Sequence, residues 1–411
     1  MKNNQTSSNS SSAPDTKRIH RGRGCLVFSI GCLLSACGLA VGLSSLSNIL
    51  LPSRSPVTDR LGDLGKARLA EAFHLRRDLG NTLWPGWGEA DIPMIVYNEE
   101  YAFLVGYPNP PAGWKKIPTQ DAQGGPWEAV PNDTYGDQTY YRQRLPNQSI
   151  TPQAFAVLVG DRWVSSMPSR EWMEVDLGNS FRKGFPPIFQ PVFPYRLAAR
   201  LFLSAAGGKD MYICALLHES FHAYQGLHVP ARLSAAETVF NQNKNRYPSE
   251  SGMFRVDWQA ELNILADAVQ AKSDPEAAEL VRQFLDHRRK RRAAADLDAL
   301  LIDLEREKEW EEGLAKYTEL AIWRLAASTE GYSPLPAMAG DPGFLEYSNF
   351  DQIWSQQVTQ IRNMAGDEGD TRFYYTGLAQ AILLDRLAPD WRTKILTEAA
   401  ALEDLLKDAL Q

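Results

Sequence analysis

The chain has 411 residues, 44% of them hydrophobic, enough to bury one large core or two modest ones. A formal net charge of −7 argues against a general nucleic-acid binder, so nucleic acid is not an expected partner. Of the four cysteines, Cys25, Cys32 and Cys37 share one N-terminal apolar segment and Cys214 stands by itself, so cysteine usage is silent about redox compartment.

Residues 2–16 are rich in Asn, Ser, Thr and Gln and read as disordered. Lys17, Arg18, Arg21 and Arg23 then precede an apolar run from Cys25 to Leu51 that no charge interrupts. The run exceeds the ~20 residues a spanning helix needs, and its positive flank assigns residues 1–24 to the cytoplasm as a basic tail. Residues 25–51 are therefore expected to be a membrane anchor. A signal anchor is the first reading. The Leu34-Ser35-Ala36-Cys37 stretch resembles a lipoprotein cleavage box, which gives a second, and a cleaved signal is a third. All three put the remainder on the extracytoplasmic side of a cell membrane.

A short linker at residues 52–57 leads into a helical pattern over about 59–79, with Leu61, Leu64, Leu69, Ala72 and Phe73 on one face. Ile92–Tyr97 and Tyr101–Tyr107 are short β-rich runs. Residues 114–150 carry the Gly, Pro, Asn and Asp of surface connections. Phe155–Val159 and Arg162–Ser166 flank Gly160-Asp161 and predict a hairpin. Trp84 and Trp87 are expected to pack rather than line a cleft. From about residue 195 the spacing is helical, over 195–206, 209–227, 231–240, 255–271, 276–293, 296–327, 374–387 and 391–409. The basic run from His287 to Arg292 reads as a solvated helix face. An α/β region over 52–194 followed by a mainly helical region over 195–411 predicts an α+β fold.

The chemistry concentrates in His218-Glu219-Ser220-Phe221-His222. On a helix, positions i and i+4 share a face, so His218 and His222 can offer two imidazoles to one Zn²⁺ ion with Glu219 beside them to handle a proton. A catalytic zinc site needs a third protein ligand. His228 is one candidate: the stretch from His218 to His228 resembles the metzincin pattern, although its glycine, Gly226, comes one residue late, after Gln225.

Glu312 is the other. The run Trp310-Glu311-Glu312-Gly313-Leu314-Ala315 is similar to the helix that supplies the carboxylate ligand in gluzincins, most closely the aminopeptidase N relatives. That resemblance implies Glu312 as the ligand, gives Glu319 a counterpart, and matches Tyr374-Tyr375-Thr376-Gly377 to a Tyr-x-x-Gly segment whose tyrosine stabilises the oxyanion. It departs in two respects. Here 90 positions separate His222 from Glu312, and no Gly-x-Met-Glu-Asn strand precedes His218, so aminopeptidase specificity does not carry over. Glu261, Glu311 and Glu319 stay open as alternative ligands. The resulting expectation is a zincin-like zinc peptidase of peptide or protein substrates, with Glu219 as general base and Tyr374 as oxyanion donor. Its rivals are a zincin-fold binding protein without turnover and a zinc hydrolase of a non-peptide amide or ester.

Overall fold

The computed structural model describes residues 38, 41–147, 150–249, 251–366, 369–396 and 400–411. The chain is α+β. Helix α1 (Asp63–Leu83) buries Leu69, Ala72, Leu75, Leu79 and Leu83, a stripe at three- and four-residue spacing. Eight strands follow: β1 (Met94–Tyr97), β2 (Tyr101–Val105), β3 (Trp114–Lys116), β4 (Ala122–Gln123), β5 (Glu128–Ala129), β6 (Tyr141–Arg144), β7 (Phe155–Val159) and β8 (Arg162–Pro168). They form one sheet in the order β4-β3-β7-β8-β1-β2-β6-β5, antiparallel except for the β1–β8 pair. The expected β7–β8 hairpin is present, with Val159 opposite Arg162 and Gly160 supplying the positive φ of the two-residue turn.

Helices make up most of what remains: α2 (Arg170–Gly184), α3 (Tyr195–Ala205), α4 (Gly208–His228), α5 (Pro230–Asn243), α6 (Gly252–Gln270), α7 (Asp274–Ala294), α8 (Ala299–Lys308), α9 (Leu314–Ser328), α10 (Phe350–Asn363), α11 (Thr371–Leu387), α12 (Trp391–Ile395) and α13 (Leu402–Asp408). The helix expected over 296–327 is α8 and α9 joined by a π-turn, Glu309–Gly313.

The chain divides into two compact units. The described residues within 53–176 and 201–411 make the larger one, and those up to 52 with 177–200 make the smaller. In the larger unit, α4 lies along β7 and β8 on one side and against α1 and α9 on the other. Alternation along the strands separates two cores: Met94, Val96, Trp163 and Met167 join the helices, whereas Ile95, Tyr97 and Val164 join a second cluster with Trp172. Trp84 and Trp87 are fully buried and pack on Phe221 at centroid distances of 4.8 and 6.0 Å, which anchors the back of α4.

The smaller unit corrects the membrane expectation. Among the described residues, no helix is long and apolar enough to cross a membrane. Residues 41–50 are helical. That helix also engages its surroundings through polar groups. Asn48 donates to the carbonyl of Phe193 at 2.7 Å, and Arg196 donates to the carbonyls of Asn48 and, at 2.8 Å, Leu51. The expected membrane anchor, and the extracytoplasmic location inferred from it, are therefore not supported. Residues 1–37, 39 and 40, with the basic flank and the Cys37 box, lie outside the described residues.

The basic run on α7 also differs from expectation. Arg289 and Lys290 are solvated, but Arg288 and Arg291 are almost completely buried and Arg292 nearly so. Burying a guanidinium requires a paired carboxylate. Arg288 pairs with Glu261, Glu309 and Glu403, Arg291 with Glu261 and Glu305, and Arg292 with Glu305 and Glu403. Burial opposes ionisation of Glu403, yet Arg288 and Arg292 hold its pKa down to about 2. A depressed folded-state pKa contributes stability above the ordinary carboxylate range and loses it as pH falls toward 2. Glu403→Gln is expected to lower stability by about 3 kcal/mol at pH 7, with the difference from wild type shrinking between pH 4.5 and 2 in urea denaturation.

Candidate metal centre

Helix α4 carries the histidine pair. Its entry uses Gly207 at φ 111° and Gly208 at φ 64°, after which the helix runs unbroken to His228. Gly226 makes no turn; a Cβ there would lie 2.4 Å from the Trp163 ring, so this glycine lets the helix approach β8. His228 consequently ends up exposed, with its Nδ1 on the Tyr224 carbonyl at 3.0 Å.

His218 and His222 project side by side, their rings 4.9 Å apart. Facing them is Glu312, on the π-turn. Its Oε2 stands 3.4 Å from His218 Nε2 and 3.3 Å from His222 Nε2. Its Oε1 accepts from Lys308 Nζ at 3.4 Å. Lys308, buried, also binds Glu311 at 2.7 Å and Glu237 at 3.0 Å. Of the alternative carboxylates, Glu311 is thus taken by Lys308 and Glu261 by Arg288 and Arg291. Glu319 lies behind the first ring, with Oε2 3.3 Å from His218 Nδ1 and Oε1 accepting from Lys316 at 2.6 Å. Glu219 and both histidines hold ligand atoms within 4.8 Å of one another. Glu219 is therefore a second carboxylate of the cluster, but Glu312 is nearer to both rings.

Tyr374 reaches this cluster because two helices cross at glycines. A Cβ on Gly313 would come within 2.4 Å of Gly377 Cα, and one on Gly377 within 2.4 Å of the Glu309 carbonyl oxygen. Tyr374 sits one turn before Gly377, so the contact brings its ring onto His218, 5.7 Å away and 14° from parallel.

The electrostatics reflect crowded acids in a dry site. Burial raises the pKa of Glu219 to about 8 against the pull of His218, and its Oε2 meets no hydrogen-bond donor among the described residues. Burial alone would lower His218, but Glu312 and Glu319 overcome it and raise its pKa to about 10. Burial opposes Glu312 as well, yet Lys308 and His222 hold it well below the usual carboxylate range. Burial and the charge of Glu312 keep the Tyr374 hydroxyl protonated. Without a cation, then, His218 holds a proton between the carboxylates of Glu312 and Glu319.

Sequence reasoning missed three participants. Gln225, fully buried, accepts at its amide oxygen from His222 Nδ1 at 3.0 Å and donates to the carbonyls of Trp310 and Glu311. Lys308 steadies Glu312, and Phe155 of β7 lies 4.5 Å from the His222 ring. A polar residue three positions after His222 was the one available signal. No protein-family model, curated protein or solved structure matches this chain.

Gly377→Ala is expected to cost ~1–3 kcal/mol through overpacking and to separate Tyr374 from Glu312. Gly65→Ala, in α1 with open space around it, should be neutral or stabilising by up to ~1 kcal/mol. Denaturant midpoints of the two variants check the pair.

Proposed function

We propose that this chain is a zinc-dependent hydrolase of the gluzincin type, with a zincin-like arrangement of sheet and helices, that cleaves peptide bonds. One observation carries the reading. Ligands ~2.0–2.1 Å from a single cation at tetrahedral angles stand ~3.3–3.4 Å apart, the separation of Glu312 Oε2 from each Nε2. Those distances are long for hydrogen bonds between such groups, whose usual length is ~2.9–3.0 Å.

His218, His222 and Glu312 would hold the ion. Zinc bound there would supply Lewis acidity to a substrate carbonyl and acidify a water molecule. Glu219 takes the proton released by that water at its unpartnered Oε2 and passes it to the leaving amine. Tyr374 donates a hydrogen bond to the developing oxyanion, a contribution of ~3 kcal/mol for one such donor. Its ring also covers His218 and helps to exclude water.

A second reading, hydrolysis of a small non-peptide amide or ester, is favoured by the depth of the site, where Glu219 shows only 8% of its surface.

Metal analysis and activity of the full chain test both readings. Glu219→Gln should retain stoichiometric zinc while turnover drops at least ~100-fold. Tyr374→Phe should lower kcat ~100-fold with zinc content unchanged. Glu312→Ala should lose zinc, and full occupancy in that variant would sink the ligand set. Chelator-sensitive cleavage of denatured protein supports the peptidase. Bound zinc with cleavage of small amides alone supports the second reading.

A further inference from the structure

We infer that Gln225 is a positioning residue that fixes the metal-binding tautomer of His222 and ties that ring to the turn bearing Glu312. This rests on the metal-site reading above. Gln225 lies three residues after His222 on α4, and its side chain is completely buried. Its Nε2 approaches two carbonyl oxygens, that of Trp310 at 3.0 Å and that of Glu311 at 3.3 Å. Carbonyl oxygens only accept, so the NH₂ group must face them and the amide oxygen must face the imidazole. That oxygen is 3.0 Å from His222 Nδ1. Since the amide oxygen can only accept, Nδ1 must carry the hydrogen. Nε2 is then left with its lone pair, and Nε2 is the nitrogen that faces Glu312. The orientation of the ring thus follows from two main-chain carbonyls.

Those carbonyls belong to the π-turn Glu309–Gly313, the same five residues that present Glu312. One buried amide therefore joins two ligand-bearing elements that are far apart in sequence. When α4 and the π-turn dock, the amide is oriented, and the ring and the carboxylate reach their places together. Partners of this kind behind a metal-binding imidazole change metal affinity by ~10–100-fold when removed.

Three variants of the full chain separate positioning from packing. Gln225→Met keeps the length but neither donates nor accepts. Gln225→Glu keeps an acceptor for Nδ1–H and loses the two donations. Gln225→Asn keeps the amide on a side chain too short to span both elements. Zinc affinity by chelator competition, the visible spectrum of the Co²⁺-substituted protein and the melting temperature of the metal-free protein are measured for each. Gln225→Met and Gln225→Asn should bind zinc ~10–100-fold more weakly with an altered Co²⁺ spectrum, while Gln225→Glu stays within ~3-fold of wild type despite a lower melting temperature. Unchanged zinc affinity in Gln225→Met, or an equal loss in Gln225→Glu, would overturn the role given to Gln225 and leave the metal site standing. A wild-type protein that takes up neither zinc nor cobalt overturns the metal site itself. Should Gln225→Met fail to fold, the contrast between Gln225→Asn and Gln225→Glu decides.

Discussion

Two imidazoles on one helix and a carboxylate from a turn 90 residues later converge on a point that none of them could define separately. The first two are neighbours by helical geometry alone. The third is held there by a lysine at its outer oxygen, by the docking of the π-turn, and by a glycine-to-glycine crossing that admits no side chain. Each restraint is made of main chain or of buried charge, and neither yields easily. Interiors pack too densely, and buried ions are too costly to leave unpaired, for Glu312 to drift without disturbing its neighbours.

The π-turn is the hinge of this arrangement. Single-turn π segments inside α-helices recur at functional sites because an extra residue in the turn re-aims the side chains that follow. Here the turn presents Glu309 to Arg288 and Gln380 on one side, and Glu312 to the histidines on the other. A buried ion network and the candidate metal centre are thus adjacent parts of one short segment.

The local parts of this design were readable from residues. The histidine pair, the hairpin around Gly160 and the helical character of the C-terminal half all follow from spacing or turn chemistry. What was hidden depends on contacts between distant segments. The run from His287 to Arg292 looks like a solvated face because charge usually seeks water, and only the partners Glu261, Glu305, Glu309 and Glu403 explain its burial. Gly226 reads as a turn signal until Trp163 is seen against it. Gln225 stands where a glycine was sought, and its role appears only once the carbonyls of Trp310 and Glu311 are in place. The membrane anchor was inferred from hydropathy, which does not register that Asn48 and the carbonyls beside it have polar partners in the folded chain.

The pairing of Glu403 with Arg288 and Arg292 bears on how the molecule is made. Those guanidiniums sit near the C-terminal end of α7, and one of their counter-ions, Glu403, follows them by 115 and 111 positions. While the protein is being synthesised, the segment that aims Glu312 is complete long before this charge balance can be. Arg288 thus meets Glu261 and Glu309 first and Glu403 last, so this network closes only once α13 has been made.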